Sequence, residues 1–343
     1  MSIHMKNTPL PWKNRGPQVR CIAAEANKTS VHSQIGLRHL DWFALLVLAW
    51  LLAGCSQSEA SELYASTGNA VSEGATTDDA PGGDSLDSEA AEDGSTMIFY
   101  DDFEGASSIP DQSKWVLCQR GDSNWARYLS ESYDQAYQQD GILYLKAEKI
   151  DGQYKTAGIE TRGKFDFTYG TVTCRARFQR MPQGNHTGIW MMPAPPAEQW
   201  PKSGEIDIME HLNKDDIIYE TVHSWYSDDM GHKDDPVSQE KVSINQEDWN
   251  VYGVTWTPDR ITYTVNGQAY LSYPNLHLEG SDGAMQWPFD HPFYLILSQS
   301  LGGDGTWAGP IDDSELPAVF EIDWIKVTQP TPESSGIDAV YPD

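Results

Sequence analysis

The chain has 343 residues, and its 51 acidic side chains outnumber its 23 basic ones, which gives a formal net charge of −28. Nucleic-acid binding depends on Lys and Arg contacts to phosphate, so this balance argues against a nucleic acid as partner. The same excess disfavours a heavily sulfated or carboxylated ligand unless a local basic patch compensates for it.

A short apolar segment near the amino terminus is typical of an export signal. Residues 43–53 read FALLVLAWLLA, a run too short to span a bilayer comfortably. Arg38 and His39 precede it, and it ends in Leu52-Ala53-Gly54-Cys55. This order describes a secretory signal. It also resembles a bacterial lipobox, which implies cleavage before Cys55 and a lipid on its sulfur.

Residues 1–55 are therefore interpreted as a leader with a lipoprotein signal peptide. The predicted location is the cell envelope, lipid-anchored to the outer membrane on its periplasmic or cell-surface side, with no other membrane contact. About 37 residues precede the basic flank, whereas a signal peptide normally begins close to it. We hypothesise that translation starts near Val31 or Leu37, and peptides from residues 1–30 in the precursor would refute this.

Composition divides the rest of the chain into three segments. Residues 56–96 are rich in Ser, Gly, Ala and Thr and carry ten acidic and no basic side chains, so they are predicted to form a disordered acidic linker. Residues 97–329 are predicted to form one folded domain, and 330–343 a flexible tail. Residues 97–343 have a net charge of −22. The separate linker and anchor favour a monomer.

The cysteines say little about redox chemistry. Cys21 precedes the predicted cleavage and Cys55 would carry lipid, which leaves Cys118 and Cys174. These two could pair in an oxidising envelope or remain free and buried, and the sequence leaves both possibilities open.

Alternation with a period of two predicts an all-β domain. In Thr171–Phe178 the even positions are apolar and the odd ones polar, and residues 143–148 and 261–266 alternate in the same way. Asn266-Gly267 separates two such runs and predicts a tight hairpin, because both central residues of a type I′ turn need positive φ. Many short strands between turn residues indicate a sandwich or jelly roll.

The most informative stretch is Gly204–His211, which reads GEIDIMEH. On a strand, Glu205 and Asp207 share one face. Glu210 falls on the opposite face by parity, and a β-bulge near Ile208-Met209 would return it to the side of the other two. The sequence therefore predicts three carboxylates in a row on one face.

Such a row would destabilise a purely structural strand, and an acidic solvent face is the alternative explanation. Glycoside hydrolysis requires paired carboxylates: in retaining enzymes one attacks the sugar and the other donates a proton, whereas inverting enzymes hold the pair further apart. The middle residue, Asp207, can hold the nucleophile by sharing a proton or hydrogen bond. Its charge is expected to help keep the general acid protonated.

The stretch GEIDIMEH resembles the signature of glycoside hydrolase family 16 in its bulged form, Glu-x-Asp-x-x-Glu. The resemblance extends over nearly all of 97–329, including TRGKFDFTYGTVTCRAR at 161–177, GIWMM at 188–192 and LGGDGTWAGPIDDSELPAVFEIDWIKV at 301–327. It implies a β-jelly-roll sandwich of two antiparallel sheets with an open, concave substrate cleft. It also implies that Glu205 is the nucleophile, Asp207 the assisting carboxylate and Glu210 the general acid/base.

The resemblance further implies aromatic residues along the cleft, where they stack on sugar rings. Trp190 and Trp200 match positions next to the cleaved bond, and Trp307 matches a cleft-edge position. His223 and Trp225 match the strand facing the catalytic one, and Trp125 and Arg127 match an early loop. The family needs no cofactor for catalysis but often binds a structural calcium, for which Asp323 matches one ligand position.

The substrate is the least determined feature. The resemblance implies an endo-acting enzyme on internal β-glycosidic bonds of a polysaccharide or long glycan. Laminarinases, which cut β-1,3-glucan, usually carry a Gly-Thr-Trp-Pro-Ala-rich run before the tryptophan strand, where this chain has Gly184-Asn185-His186-Thr187-Gly188. Stretches 221–226, 250–254 and 288–295 are more similar to endo-β-1,4-galactosidases that cut mucin-type poly-N-acetyllactosamine. The latter activity is favoured, with an endo-1,3-β-glucanase and a non-catalytic jelly-roll lectin as alternatives.

Overall fold

Alternating apolar and polar residues form the strands of two antiparallel sheets in the described part of the chain. A computed structural model describes residues 94–331. In chain order the strands are β1 Ser95–Asp101, β2 Val116–Leu117, β3 Ala136–Gln139, β4 Ile142–Ile150, β5 Gln153–Lys155, β6 Ala157–Glu160, β7 Gly170–Arg180, β8 Asn185–Pro193, β9 Glu205–Leu212, β10 Ile217–His223, β11 Gln239–Ser243, β12 Asn250–Trp256, β13 Arg260–Val265, β14 Gln268–Pro274, β15 Phe293–Leu301 and β16 Ala318–Pro330. The helices are α1 Trp225–Asp228, α2 Gly280–Gln286 and a 3-10 turn, Asp313–Glu315.

Within residues 94–331 the first sheet has the strand order β14-β13-β12-β7-β16-β4-β3, with β1 added against β16 and β5 against β4. The second sheet has the order β11-β10-β9-β8-β15-β6-β2. Strand β9 begins at Glu205, the second residue of the GEIDIMEH motif, and lies between β8 and β10. This confirms the predicted all-β sandwich of two antiparallel sheets.

The predicted strands and turn occur where alternation placed them. Strand β7 buries Val172, Cys174, Ala176 and Phe178. Strands β13 and β14 are joined by Asn266-Gly267, with φ of 51° and 79°, and Val265 pairs with Gln268 across the turn. The tight hairpin is therefore confirmed, and its geometry is the one that positive φ at both central residues produces.

Aromatic side chains fill the space between the sheets and fix their relative position. Phe178 of the first sheet stacks on the His211 ring of the second with ring centroids 4.3 Å apart, and Trp256 meets Phe293 edge-on at 5.3 Å. The indole of Trp256 also donates a hydrogen bond to the carbonyl of Phe289 at 3.0 Å. Burying large rings of this kind contributes a large share of the stability of such a domain. The second sheet is consequently a firm support for the side chains on its other face.

The ends of the domain differ slightly from the prediction. Strand β1 begins at Ser95, which pairs with Pro330 on β16, so the last residues assigned to the linker belong to the sheet. Their Gly, Ser and Thr composition conceals this, because the strand is made by its pairing with β16. The predicted signal, the lipid site Cys55, most of the linker and most of the tail lie outside the described residues. Among residues 94–331, no helix is long and apolar enough to cross a bilayer.

The structure shows the state of the two cysteines and the surroundings of Asp323. Cys118 and Cys174 are both buried and free, so they do not form a disulfide. Asp323 is ion-paired with Arg175 on the first sheet. Within the described residues, no group of three or more acidic, His or Cys side chains converges to hold a metal. The calcium site for which Asp323 is a candidate ligand therefore stays a prediction.

A buried carboxyl group links the two sheets. Glu220 on β10 is fully buried and its Oε2 accepts a hydrogen bond from the backbone N–H of Leu271 on β14 at 3.2 Å. The pairing of β13 with β14 shifts register between Thr262 and Thr264, which leaves this N–H free for Glu220. Burial raises the pKa of Glu220 to about 8, although the Leu271 hydrogen bond opposes the shift.

This shift predicts a pH dependence of stability. The folded protein keeps a proton on Glu220 that the unfolded chain releases near the ordinary value of 4.5. The contribution of Glu220 to the free energy of unfolding therefore decreases as the pH rises from about 4.5 to about 8. The variant Glu220→Gln should lose this part of the decline and be more stable than wild type above pH 8. Thermal unfolding at pH 5 and pH 9 measures it.

The matched control is Glu240→Gln, which changes the exposed residue directly opposite Glu220 on β11. It should retain most of the wild-type difference in melting temperature between the two pH values, because burial is the main cause of the raised pKa of Glu220 and the charge of Glu240 adds less to it. An equal decline in wild type and Glu220→Gln would contradict the assignment.

Candidate active site

The strand β9 presents its three carboxylates on one face because it contains a bulge. On one side Ile189 and Trp190 of β8 pair with Met209 and Asp207, so Ile208 is an extra residue. On the other side Tyr219 and Thr221 of β10 pair with Glu210 and Asp207, with the same extra length in β9. Ile206, Ile208 and Met209 are buried in the core. The bulge predicted from parity is therefore present, and it returns Glu210 to the face of Glu205 and Asp207.

Gly204 lets the chain enter this strand. Its φ is 79°, a conformation that side chains other than Gly rarely adopt. A Cβ at this position would lie 2.6 Å from Cε1 of Phe289, a buried core ring. The Gly immediately before Glu205 is thus required both by the turn and by close packing, and it sets where the strand begins.

Asp207 is the most buried of the three carboxyl groups, with 2% exposure. Burial raises its pKa well above the usual range, and the charges of Glu205 and Glu210 add to this. A hydrogen bond joins it to Glu205, and that bond raises the pKa of Asp207 while lowering that of Glu205. These directions favour Asp207 as the donor of this hydrogen bond and as the group that keeps the proton. A raised pKa favours the neutral form of Asp207, which argues against the expectation that its charge keeps the general acid protonated.

Glu205 accepts hydrogen bonds from two directions. Besides Asp207, the indole Nε1 of Trp200 donates to Glu205 Oε2. Burial raises the pKa of Glu205, the nearby His223 opposes this, and Glu210 adds to it. Because the pKa of Asp207 is raised further, Glu205 is the group that ionises first. The arrangement supplies one carboxylate that is held by two donors and is available as a nucleophile.

His223 ends β10 and lies between two carboxyl groups. Its Nδ1 is 3.1 Å from Asp228 Oδ2, and its Nε2 is 3.3 Å from Asp207 Oδ2. Burial alone would lower the pKa of His223, but the hydrogen bond to Asp228 and the charge of Glu205 outweigh it and raise the pKa. An imidazolium is therefore favoured beside Glu205, where it stabilises the ionised nucleophile. The sequence analysis did not identify Asp228 as a partner of His223.

Glu210 has a partner that sequence reasoning also missed. His186 Nε2 lies 3.0 Å from Glu210 Oε1. His186 belongs to the segment 184–188 whose difference from laminarinases was noted, but it was not proposed as a site residue. The available signal was alternation, since His186, Gly188 and Trp190 lie at every second position of β8 and share one face.

Two cavities meet at Glu205. The smaller, of about 40 Å³, lies between the carboxyl groups and is lined by Trp125, His186, Gly188, Trp190, Glu205, Asp207, Glu210, Ser298 and Ser300. The larger, of about 690 Å³, extends away from Glu205 and is lined by Asp122, Ser123, Asn124, Trp125, Arg162, Trp190, Met192, Trp200, Glu205, Tyr294 and Ile296. Together they form a cleft whose volume has room for more than one sugar unit.

The predicted tryptophans occupy different parts of this cleft. Trp200 is 50% exposed and offers a ring face for stacking. Trp190 is only 7% exposed, and its Nε1 donates to Ser298 Oγ, so it forms the wall and not an open platform. Trp125 packs edge-on against Trp190 with ring centroids 4.8 Å apart. Trp307, also 50% exposed, lines neither cavity but lies edge-on to His186, a residue of the smaller one, at 5.8 Å.

Two predicted site residues lie elsewhere. Trp225 is the first residue of α1 and not part of the facing strand, and Lys202 lies over its ring at 5.0 Å. Arg127 donates to Asn124 and approaches Gly303, and it lines neither of the two cavities. In both cases the chain turns before the residue reaches the cleft: β10 ends at His223, and the loop around Ser123–Arg127 presents Trp125 instead.

Comparison with known proteins agrees with the geometry. The sequence profile of the glycosyl hydrolases family 16 matches residues 123–326. A keratan-sulfate endo-1,4-beta-galactosidase of Sphingobacterium multivorum is 34% identical over 238 residues, covering 67% of this chain and 54% of the relative. A beta-glucanase of Rhodothermus marinus is 32% identical over 249 residues, covering 67% of this chain and 84% of the relative.

A solved structure gives the same result. It comes from work on endo-acting O-glycanases that prominent members of the human gut microbiota express to initiate mucin breakdown. It has 32% sequence identity and a TM-score of 0.61, and the match covers 67% of this chain and 98% of that one. The present chain spans about half the length of the keratan-sulfate relative.

The chain belongs to glycosyl hydrolase family 16. It has the jelly-roll fold of that family, and it is an endo-acting glycoside hydrolase. The family needs no cofactor for catalysis. The lectin alternative is therefore not supported, since the chain carries all three carboxylates on the cleft face of β9.

The geometry predicts separate effects for the ring and the N–H of Trp200. Trp200→Phe keeps an aromatic face but removes the donor to Glu205. Hydrogen bonds to charged groups contribute about 1.5–3 kcal/mol, and the lower end applies to this half-exposed residue. We expect kcat to fall about tenfold with little change in KM, measured by steady-state release of reducing ends.

The matched variant Trp200→Ala also removes the stacking surface and should raise KM. Since Trp200 lies at the surface, both variants should unfold at temperatures close to wild type. An unchanged kcat in Trp200→Phe would show that the indole N–H does not support the nucleophile.

Proposed function

We propose that this protein is a retaining endo-β-glycosidase in which Glu205 is the nucleophile, Glu210 the general acid/base and Asp207 the carboxyl group that holds Glu205. The observation that carries the proposal is the single small cavity that Glu205 and Glu210 both line, with Asp207 between them on the same strand face. Two carboxyl groups facing one bond-sized space are what a double displacement uses.

The reaction follows from the partners of each group. Glu205, ionised and held by Trp200 and Asp207, attacks the anomeric carbon, and Glu210 transfers its proton to the departing glycosidic oxygen. This gives a glycosyl ester of Glu205 and a free chain end. Glu210, now a carboxylate, takes a proton from water, which attacks the same carbon and releases Glu205. Attack from opposite faces in the two steps restores the original anomeric configuration.

We further propose that the substrate is a neutral poly-N-acetyllactosamine chain of the mucin O-glycan type, cut at β-1,4-galactosyl bonds. The similarities to a keratan-sulfate endo-1,4-beta-galactosidase and to an endo-acting O-glycanase support this. Residues 184–188 also differ from the laminarinase pattern and contribute His186 and Gly188 to the cavity.

Charge favours a neutral chain. Arg162 is a basic residue of the larger cavity, and its Nε is 3.2 Å from the buried Glu160, while it also donates to Tyr294. Its charge is therefore already compensated. The sequence from 97 onward has a net charge of −22, so sulfate groups would meet an unfavourable field.

A second candidate is an endo-1,3-β-glucanase. The similarity to the beta-glucanase of Rhodothermus marinus favours it, at 32% identity over 84% of that protein. The open cleft and half-exposed Trp200 would serve a β-glucan as well as a galactosyl chain, so the contacts of the catalytic centre do not separate the two.

A product profile tests the proposal. Purified protein is incubated with laminarin, mixed-linkage glucan, agarose, mucin O-glycans, and keratan sulfate before and after desulfation, beside Glu205→Gln. We expect oligosaccharides from mucin O-glycans and more from desulfated than from sulfated keratan, because of the charge. Proton NMR at the start of the digest should show the β-anomer first. Glu205→Gln should be at least about 10³-fold slower, since it lacks the nucleophile.

Each alternative predicts a different outcome. Products from laminarin alone would move the assignment to an endo-1,3-β-glucanase. An α-anomer formed first would contradict retention and place the carboxyl groups in an inverting role. Equal activity of Glu205→Gln would refute the assigned nucleophile.

A further inference from the structure

The strand β8 places an imidazole directly beside the group assigned as acid/base. His186 pairs with Leu212 in the register of β8 with β9, and Gly188 pairs with Glu210. His186 is therefore a diagonal neighbour of Glu210 on the cleft face, at a spacing that long side chains bridge. Its Nε2 lies 3.0 Å from Glu210 Oε1, and both side chains are partly buried, 22% and 14% exposed.

The surroundings of His186 hold its ring but leave one nitrogen free. Trp307 lies edge-on to the imidazole at 5.8 Å, and Tyr219 lies edge-on to Trp307 at 4.8 Å. Tyr219 is also the partner of Glu210 across β9 and β10. Within residues 94–331, no protein hydrogen bond reaches Nδ1 of His186. The ring position is thus fixed by packing, while its tautomer is not fixed by a partner.

We propose that His186 is a positioning residue for the acid/base Glu210 and holds it correctly in both of its protonation states. The proposal rests on the proposed function, in which Glu210 acts first as acid and then as base. With its proton on Nε2, His186 donates a hydrogen bond to Oε1 of protonated Glu210, so the carboxyl proton stays on the other oxygen, where it can pass to the glycosidic oxygen. After that transfer the same Nε2–H donates to the Glu210 carboxylate. In either state one carboxyl oxygen is held by His186 and the other remains directed to the substrate.

Each of the three carboxyl groups then has a nitrogen of a tryptophan or histidine ring beside it. Trp200 holds Glu205, His223 lies beside Asp207, and His186 holds Glu210. These rings come from three different elements: a loop, β10 and β8. A purely structural role for His186 would instead depend on its ring packing against Trp307, and it would not distinguish one step of the reaction from another.

The leaving group separates these two roles. Departure of a sugar alkoxide needs a proton from the general acid, whereas departure of 2,4-dinitrophenolate does not. The probes are mucin O-glycans and the 2,4-dinitrophenyl β-glycoside of N-acetylglucosaminyl-β-1,3-galactose, and kcat/KM is measured because it reports the first step. If the enzyme cuts laminarin, the probes are laminarin and 2,4-dinitrophenyl β-laminaribioside. The proteins are wild type, Glu210→Ala, His186→Phe and His186→Gln.

His186→Phe keeps a ring against Trp307 but cannot hydrogen-bond to Glu210, whereas His186→Gln loses the ring and can both donate and accept. We expect His186→Phe to lose about 10²-fold in kcat/KM on the glycan, within the range of lost acid catalysis, and less than about fivefold on the dinitrophenyl glycoside. We expect His186→Gln to stay within about tenfold of wild type on both. Activity on the activated glycoside also shows that each variant is folded.

Other outcomes would overturn the proposal. An equal loss of His186→Phe on both probes, or no loss on either, would show that His186 does not act through the general acid. A larger loss in His186→Gln than in His186→Phe would assign the role to ring packing. Glu210→Ala is the separate check on the proposed function. If this variant shows no selective loss on the glycan, Glu210 is not the general acid, and the proposed function is refuted independently of His186.

Discussion

Three carboxyl groups on one strand face repel each other, and the rest of the site depends on how this repulsion is relieved. Burial and the neighbouring charges raise the pKa of Asp207, so it stays protonated and donates a hydrogen bond to Glu205. A neutral central residue separates the two outer carboxyl groups, which would otherwise compete for charge. The same hydrogen bond fixes the direction of Glu205, so one proton both permits the cluster and orients its nucleophile.

The fold supplies what this cluster requires. The bulge at Ile208 keeps Ile206, Ile208 and Met209 in the core while all three carboxyl groups reach the cleft. Long pairings with β8 and β10 on either side of β9 hold the strand in register. Rings from the loop and from both neighbours then reach one carboxyl group each. Strand pairing, and not the strand alone, therefore determines the chemistry of the site.

Much of this was predictable from local patterns. On a regular strand Glu210, three residues after Asp207, would point to the opposite face, so the sequence predicted a bulge. The alternation of apolar and polar residues on both sides of Asn266-Gly267 predicted two strands and a hairpin. Contacts between distant segments were less accessible. His186 gains its role by meeting Glu210 across the pairing of β8 with β9, 24 residues apart. Asp228 is only five residues from His223, but it meets His223 because α1 turns the chain back, which an extended segment at 222–226 does not predict. Trp225 was placed in a strand that in fact ends at His223, because a Ser224 cap begins α1 there.

The central claim is that Asp207 carries a proton in the resting enzyme. The most direct measurement is the carboxyl-carbon NMR spectrum of protein labelled with ¹³C at Asp side chains, recorded from pH 4 to pH 8 for wild type and Asp207→Asn. The account predicts one resonance that stays at the protonated position well above the usual aspartate range and is absent from Asp207→Asn. If the resonance assigned to Asp207 titrates near its ordinary value of 3.8, Asp207 is ionised and cannot be the donor to Glu205.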